Sequence, residues 1–260
     1  MSLLEVKNLR IEYPSRHGVH AAVKSLTLDI QRGEIVGVVG ESGAGKSTVG
    51  NAVIDLLSPP GTIAGGEVYL NGEKISGLSP QAMREVRGSK IGFIFQDPMT
   101  SLNPLFTVEH QLTETIHANM QVSAEEAYQR ALSLMKQVGI PQPENRLKQY
   151  PHQFSGGMRQ RVVIAIALAG EPDLIIADEP TTALDVSIQD QILNLIRELC
   201  KKNNVGCMLV THDMGVVSNV TDRVAVMYRG DLVEFGPTAK VLGTPEHPYT
   251  RSLYFGGTAL

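Results

Sequence analysis

The sequence predicts an α/β fold: a mostly parallel sheet with an antiparallel β subdomain and a helical insertion. Two N-terminal segments alternate apolar and polar side chains, as half-buried strands do. Later segments alternate between short apolar runs and helical patterns, which is typical of parallel strands connected by helices. Residues 97–150 differ from both, because they carry helical patterns and proline-containing loops.

The composition is that of a self-contained globular protein. The chain has 260 residues, 42% of them hydrophobic, which is enough to bury a sizeable core. Its formal net charge of −4 gives no basic field that would attract nucleic acid. It has no apolar run of the roughly 18 to 20 residues that a membrane-spanning helix needs, and no signal-peptide pattern, so we expect a cytoplasmic protein.

The two cysteines, Cys200 and Cys207, are too few for a disulfide framework, and they do not form a C-x-x-C metal pattern. We expect both to be reduced and structural.

The core elements begin with an antiparallel pair of strands over residues 3–11 and 22–30. Residues 34–39 form a β-branched run without a polar face, which fits a strand covered on both sides in a parallel sheet. A glycine-rich turn follows, and a helix begins at about Lys46. Further predicted elements are a strand over 91–95, a helix over 162–169, a strand over 174–177, a helix over 186–202, and strands over 207–210, 224–228 and 232–235.

The insertion contains a helix over residues 123–138, where Ser123 and Glu126 fit a capping box. The predicted division of the chain therefore has three parts. The parts are a core with its β subdomain at 1–96 and 151–253, a helical insertion at 97–150, and a tail at 254–260. The tail has no evident structural role, which is consistent with a truncated or engineered terminus.

The motif G-x-x-x-x-G-K-[ST] lies between the predicted strand at 34–39 and the following helix, as in P-loop NTPases. Its glycines allow backbone N–H groups to point inward, where the helix N-terminus adds positive potential for phosphates. Lys46 would contact the β- and γ-phosphates, and the Ser47 hydroxyl would hold Mg²⁺. The alternative, a glycine-rich turn with an incidental lysine, is disfavoured by this context. The candidate nucleotide-binding residues are Gly40, Glu41, Ser42, Gly43, Ala44, Gly45, Lys46, Ser47 and Thr48.

Two carboxylates, Asp178 and Glu179, follow the apolar run at 174–177. A buried strand delivers both to its C-terminal edge, where ligands bind in open α/β sheets. Asp178 would act on Mg²⁺, directly or through water, and Glu179 would polarise the attacking water. The alternative is a pair of carboxylates that caps the next helix.

Two more polar side chains end apolar strands. His212 follows the strand at 207–210, and its position beside the other site residues favours contact with the γ-phosphate over a structural role. Gln96 follows the strand at 91–95, where its amide can ligate Mg²⁺ or the attacking water. Taken alone, Gln96 can equally be a loop residue.

A second phosphate-binding pattern occurs at Ser155, Gly156 and Gly157, immediately before another predicted helix. The hydroxyl and the two unobstructed backbone N–H groups suit an anion. From these residues alone, a simple helix cap is the favoured interpretation.

With these motifs in this order, the chain resembles the nucleotide-binding subunit of ABC transporters over residues 3 to about 253. The resemblance adds two candidate site residues: Tyr13, as the aromatic that stacks on adenine, and Asp185. Asp185 ends the segment Ala183-Leu184-Asp185, which is similar to the family's loop joining the catalytic elements across a dimer. The resemblance implies an ABC ATPase that uses ATP and Mg²⁺, with Gln96, Glu179 and His212 as catalytic residues.

The resemblance also implies a role for the second glycine segment. In ABC proteins, residues like those at 155–157 contact the γ-phosphate of a nucleotide held by the other subunit. Two such domains then face head to tail around two ATP molecules.

Four segments look like the oligopeptide, dipeptide and nickel importer branch of the family; they lie at 96–104, 150–161, 177–186 and 245–250. Within that branch the chain is similar to the Ser-Gly-Gly-Met type of ATPase subunit, or to the N-terminal half of a fused pair. Phe154 replaces the usual Leu and Met158 the usual Gln, which raises the question of whether the two ATP sites are equivalent.

The resemblance implies a peripheral protein on the cytoplasmic side of the cell membrane. Its expected partners are integral-membrane permease subunits, docked on the helical insertion and the loop after Gln96, and a second ABC ATPase. That second ATPase can be a copy of this chain, a different subunit or a fused half. A periplasmic or extracellular substrate-binding protein is an indirect partner, and nucleic acid is not expected.

Two other functions are compatible with the sequence. One is a soluble ABC ATPase that works on DNA or ribosomes, although such proteins usually carry a long coiled-coil insertion or tandem cores. The other is a nucleotide-binding regulatory subunit without hydrolysis, which the presence of Glu179 and His212 disfavours.

Overall fold

A single ten-stranded sheet organises the computed structural model, which describes residues 2–16, 18–182 and 184–255. The strands are β1 (Leu4–Ser15), β2 (Gly18–Ile30), β3 (Ile35–Val39), β4 (Thr62–Leu70), β5 (Glu73–Lys74), β6 (Ile91–Ile94), β7 (Leu174–Asp178), β8 (Gly206–Thr211), β9 (Arg223–Tyr228) and β10 (Asp231–Pro237).

The sheet has a parallel half and an antiparallel half, in the order β5-β4-β1-β2-β10-β9-β3-β8-β7-β6. Strands β9, β3, β8, β7 and β6 run parallel, and β5, β4, β1 and β2 run antiparallel. β10 joins the halves, because it pairs antiparallel with β9 and meets β2 where Asp231 lies beside Ser25. The predicted antiparallel pair is confirmed, and β4 extends it into a larger sheet.

The helices lie between these strands. They are α1 (Lys46–Val53), α2 (Pro80–Ser89), α3 (Pro98–Ser101), α4 (Val108–Asn119), α5 (Ala124–Gln137), α6 (Pro143–Leu147), α7 (Gly156–Leu168), α8 (Val186–Asn203), α9 (Met214–Val220), α10 (Thr238–Gly243) and α11 (Pro248–Phe255), with a 3₁₀ turn at Pro151–Gln153. Among the described residues, none of these helices has both the length and the apolar character to cross a bilayer.

Four of the helices, α3 to α6, fall within residues 97–150. The predicted capping box of α5 is confirmed: the Ser123 hydroxyl accepts a hydrogen bond from the Glu126 N–H over 3.3 Å, and the Glu126 carboxylate accepts one from the Ser123 N–H over 2.8 Å. The boundaries at 96 and 150 between core and insertion stay predictions.

Three hydrophobic clusters form the core. One packs α4, α5, α7 and α8 against one face of the parallel strands, and a second packs α1 and the antiparallel strands against the other face. Cys200 and Cys207 are free and buried in the first cluster, as predicted. A third cluster joins the end of β3 to α9, β9, α10 and α11.

The C-terminal part of the chain is more ordered than its polar, proline-rich sequence suggests. It forms α10 and α11, which pack on the third cluster through side chains such as Val241, Tyr249 and Leu253. Of the predicted tail at 254–260, the first two residues belong to α11, and residues 256–260 lie outside the described part of the chain.

Candidate active site

The glycine-rich loop connects β3 to α1 and lies close to the neighbouring strands. Gly40 has a φ of 150°, and a Cβ there would lie 2.1 Å from the carbonyl oxygen of Met227. Gly45 has a φ of 100°, and a Cβ there would lie 2.5 Å from the carbonyl oxygen of Ala22. Only glycine fits at either position. No described side chain caps the N-terminus of α1, so its first N–H groups remain for an anion.

Lys46 is a buried cation, with 6% of its surface exposed. Its Nζ donates to the carbonyl oxygens of Gly40, over 2.8 Å, and Glu41, over 2.9 Å. Burial lowers the pKa of Lys46, and the charges of Glu179 and Asp178 partly oppose that shift. A buried ammonium group with uncharged oxygen partners gains further stabilisation from phosphate oxygens, since charge-assisted hydrogen bonds are the stronger ones.

Ser47 and Asp178 meet where α1 faces the end of β7. The Ser47 hydroxyl donates to Asp178 Oδ1 over 2.8 Å. Burial raises the pKa of Asp178, the hydrogen bond from Ser47 lowers it, and the charge of Glu179 raises it, with a net upward shift.

This pair fits Mg²⁺ by its donor chemistry. Mg²⁺ takes hard oxygen ligands and is usually held by one or two carboxylates together with substrate phosphates and water. A nearby divalent cation would also favour the ionised form of Asp178, against the effect of burial. Within the described part of the chain, no cluster of three or more His, Cys, Asp or Glu side chains could hold a metal by itself.

Glu179 follows Asp178 in a strained backbone conformation. Its φ of 44° lies in the left-handed region, which is uncommon for a residue with a side chain. Its N–H donates to the carbonyl oxygen of Val210 on β8 over 2.9 Å, which ties the turn to the neighbouring strand.

The Glu179 carboxylate has three side-chain partners. Thr182 Oγ1 donates to Oε2 over 2.8 Å, Gln96 Nε2 donates to Oε2 over 3.1 Å, and His212 Nδ1 lies 3.1 Å from Oε1. Burial raises the pKa of Glu179, but the hydrogen bonds of Thr182 and His212, together with the charges of His212 and Lys46, bring the pKa below its ordinary value. Glu179 is therefore ionised at neutral pH.

Residues of the glycine-rich loop and three of the polar side chains line one cleft of about 610 Å³. The glycine-rich loop forms one wall, and Gln96, Glu179 and His212 form another. Leu253 of α11 also contributes to the lining. The structure thus brings the predicted loop residues and the three predicted catalytic residues together. Asp178 joins them through its hydrogen bond to Ser47.

Sequence reasoning missed Thr182 and Leu253. Thr182 lies three residues after Glu179 in a tight turn, a spacing that lets a hydroxyl reach back to the carboxylate. No local sequence pattern indicates that Leu253 lines the cleft, because this placement depends on α11 folding back towards the glycine-rich loop.

Other predicted residues do not line this cleft. Tyr13 lies on β1, where its ring covers Gly61, so that a Cβ on that glycine would lie 2.6 Å from the ring. Asp185 directly precedes α8, and its side chain makes no capping hydrogen bond. Ala183, in the same predicted loop, lies outside the described residues.

The second glycine segment lies at the start of α7. The exposed Ser155 accepts a hydrogen bond from the Met158 N–H over 3.3 Å, and so caps the helix. A Cβ on Gly157 would lie 2.8 Å from Ile188 Cγ2 of α8. Phe154 is buried, and Met158 is partly buried against the core, so both residues that depart from the usual pattern take part in packing.

The family is decided by a comparison with protein-family models, in which the model described as ABC transporter matches residues 23–182. The chain belongs to the ABC transporter family. Among curated relatives of this ABC chain, the oligopeptide transport ATP-binding protein OppD of Bacillus subtilis (strain 168) is 51% identical over 252 residues. That match covers 96% of this chain and 70% of OppD. The dipeptide transport ATP-binding protein DppD of the same strain is 48% identical, with 96% and 75% covered.

Solved structures give the same result. The ATP-binding cassette MJ0796, in a dimeric post-hydrolysis state bound to ADP and Pi, superposes with a TM-score of 0.79 at 32% identity. The match covers 90% of this ABC chain and 98% of MJ0796. The predicted family, the α/β P-loop fold and the assignment as an ATP-hydrolysing transport ATPase are confirmed.

Proposed function

We propose that this chain is the ATP-hydrolysing subunit of a peptide importer, where it acts as one of two ABC ATPase subunits beneath an integral-membrane permease. The observation that carries the proposal is the Glu179 carboxylate, which contacts three side chains at the wall of the glycine-rich cleft and has a pKa below its ordinary value. Peptides are proposed as the substrate class because the relatives OppD and DppD are described as oligopeptide and dipeptide transport proteins.

Nucleotide binding begins at the loop. The first N–H groups of α1 and the buried ammonium group of Lys46 would surround the β- and γ-phosphates. Ser47 and Asp178 would hold Mg²⁺, which supplies charge neutralisation on the phosphate oxygens when bound. Tyr13 would stack on the adenine base and contribute about 1 kcal/mol.

Hydrolysis then depends on Glu179. Its ionised carboxylate accepts a hydrogen bond from the attacking water and takes its proton as the oxygen approaches the γ-phosphorus. The bond from phosphorus to the β,γ-bridging oxygen breaks, giving ADP and phosphate. Gln96 and Thr182 fix the direction of the carboxylate, and His212, whose Nδ1 lies 3.1 Å from Oε1, would contact the γ-phosphate region with its ring.

The second subunit completes the site. Ser155 is exposed, and the N-terminus of α7 follows it directly, so this segment is available to the γ-phosphate on another ABC ATPase. Asp185 directly precedes α8, and its neighbour Leu184 lies beside this segment, 3.4 Å from a Cβ built on Gly156. The MJ0796 dimer with ADP and Pi supports two such subunits per working unit.

The permease is proposed to dock beside Gln96, on the cytoplasmic side of the membrane. Four large apolar side chains cluster there in sequence and are exposed by 43–79%: Phe95, Met99, Leu105 and Phe106. Exposed apolar side chains in this number mark an interaction surface. A substrate-binding protein on the other side of the membrane would deliver the peptide to the permease.

Glu179→Gln tests the catalytic role, because the amide keeps the size of the side chain but accepts protons far less readily. We expect phosphate release to fall by at least about a hundredfold, since general base catalysis contributes on the order of 10² to 10⁴. ATP binding should persist, and a closed ATP-bound dimer should accumulate. Phosphate release and sedimentation in ATP measure both properties.

The matched control is Glu85→Gln on the exposed surface of α2, which should hydrolyse ATP like the wild type. Brisk hydrolysis by Glu179→Gln would remove Glu179 from the catalytic role. A wild-type chain that binds ATP but releases no phosphate, alone or with its permease, would instead favour a regulatory subunit.

The substrate class is tested in cells by uptake of a labelled pentapeptide and, separately, of radioactive Ni²⁺. We expect wild-type cells to accumulate the peptide, and cells with Glu179→Gln to lose that uptake. Loss of Ni²⁺ uptake with unchanged peptide uptake would assign the subunit to a metal importer.

A further inference from the structure

Tyr249, on α11, contacts the glycine-rich loop directly. Its hydroxyl accepts a hydrogen bond from the backbone N–H of Glu41 over 2.9 Å, and only 8% of the residue is exposed. Its ring lies against that of Tyr228 on β9, with 4.2 Å between the centroids. The contact therefore joins three separate parts of the chain: α11, the sheet and the phosphate-binding loop.

Backbone hydrogen bonds of residues 246–249 fix the position of Tyr249. The Glu234 carboxylate on β10 accepts hydrogen bonds from the N–H groups of Glu246, over 3.0 Å, and His247, over 3.2 Å. The N–H of Tyr249 in turn donates to His247 Nδ1 over 3.1 Å. Because the sheet holds this segment, the Tyr249 hydroxyl can act as a fixed acceptor.

Both backbone polar groups of Glu41, the N–H and the carbonyl oxygen, are hydrogen-bonded. Its carbonyl oxygen accepts hydrogen bonds from Lys46 Nζ, over 2.9 Å, and from the N–H of Ala44, over 3.1 Å, while its N–H donates to Tyr249. A shift of Glu41 would therefore move one of the two carbonyl partners of Lys46. Leu253 lies one helical turn after Tyr249 and lines the cleft itself.

We propose that Tyr249 is a positioning residue for nucleotide binding, and that its hydroxyl holds the first turn of the glycine-rich loop in the phosphate-binding path before nucleotide arrives. The proposal rests on the proposed binding of ATP at this loop. A loop that is already ordered loses less conformational entropy on binding, which tightens the complex. The effect falls on affinity, because Tyr249 does not touch the reacting atoms.

The test is the pair Tyr249→Phe and Tyr228→Phe, each of which removes one hydroxyl and keeps the stacked ring. We expect Tyr249→Phe to raise the Kd for ATP by about five- to tenfold, since it leaves the Glu41 N–H without its partner. Tyr228→Phe should bind ATP within about twofold of the wild type, because no hydrogen bond links that ring to the loop in the described residues. At saturating ATP, kcat should be the same in all three proteins.

A second measurement reports the order of the glycine-rich loop directly. Hydrogen–deuterium exchange of nucleotide-free protein should be faster over residues 40–47 in Tyr249→Phe than in wild type or Tyr228→Phe, while the melting temperatures of the two variants agree. Equal ATP affinity and equal loop exchange in both variants would overturn the positioning role, provided the wild type binds ATP. Failure of the wild type to bind ATP would overturn the proposed function, and this inference with it.

Discussion

The chain contains two helix N-termini that follow glycines, and they are built in different ways. At the start of α1, the ammonium group of Lys46 and the carboxylates of Asp178 and Glu179, at the end of β7, approach one another. At the start of α7, the Ser155 hydroxyl is used to cap the helix. The first N-terminus therefore combines backbone N–H groups with converging charges, and the second offers only a hydroxyl and backbone N–H groups.

The glycines also serve different purposes at the two places. Gly45, with a φ of 100°, allows the loop to approach the backbone of β2, whereas Gly157 allows α7 to approach Ile188 of α8. The glycines of the first segment allow the loop to pack against neighbouring strands, and that of the second allows one helix to pack against another. The difference teaches that a glycine-containing helix start alone does not bring charged side chains together, which is why the nucleotide of another subunit is the proposed partner of the second segment.

The largest effect is expected at Lys46. Lys46→Met should weaken ATP binding by at least about a hundredfold, because the lost hydrogen bonds join charged groups. The nucleotide-free protein should melt within a few degrees of the wild type, since Met removes a buried charge, while the carbonyl oxygens of Gly40 and Glu41 each lose one donor and that of Glu41 keeps the Ala44 N–H. Calorimetric titration and thermal melts measure the two quantities. The exposed control Lys202→Met should change neither, and tight ATP binding by Lys46→Met would place the nucleotide elsewhere.

Much of the site could be predicted because its parts are local in sequence. The glycine-rich loop and the carboxylates after β7 each follow an apolar strand, and parallel strands bring their C-terminal ends to one edge. The strands and helices of the core follow from the same alternation of patterns.

The parts that could not be predicted depend on contacts between distant segments. β4 pairs with β1 although two strands and a helix lie between them in sequence, and its two consecutive glycines give a weak strand pattern. Tyr249 reaches Glu41 across 208 positions of sequence, so no local pattern indicates the bond. The interaction of Gln96 with Glu179, rather than with Ser47 and Asp178, likewise depends on side-chain geometry.

An intermediate effect is expected at Ser155, where two substitutions separate capping from contact with another subunit's nucleotide. Aspartate and asparagine cap helices about as well as serine, so both variants should fold and bind ATP in their own loop. Ser155→Asp places a negative charge near the γ-phosphate of the other subunit. In a Glu179→Gln background, it should weaken ATP-dependent dimerisation by at least about tenfold. Sedimentation in ATP measures this, and equal dimerisation of the Asp and Asn variants would leave Ser155 with capping alone.

The smallest effect on activity is expected at Thr182, which donates a hydrogen bond to the Glu179 carboxylate. Burial raises the pKa of Glu179, and the hydrogen bond from Thr182 is the first of the interactions that bring it below its ordinary value of 4.5. A lowered pKa means that the carboxylate stays ionised as the pH falls towards 4.5, so wild-type hydrolysis should not decline through this group in weakly acidic solution. Thr182→Val removes the hydroxyl, so the pKa should rise and the acid limb of kcat should move to higher pH.

At neutral pH, we expect Thr182→Val to lower kcat by about three- to tenfold, through poorer orientation of the carboxylate. Thr182→Ser retains the hydroxyl and should restore both the rate and the pH profile. The sign of the pH shift is the informative result, because a packing defect would lower kcat equally at every pH. A profile of Thr182→Val that is parallel to that of the wild type would show that Thr182 supports the turn without tuning Glu179.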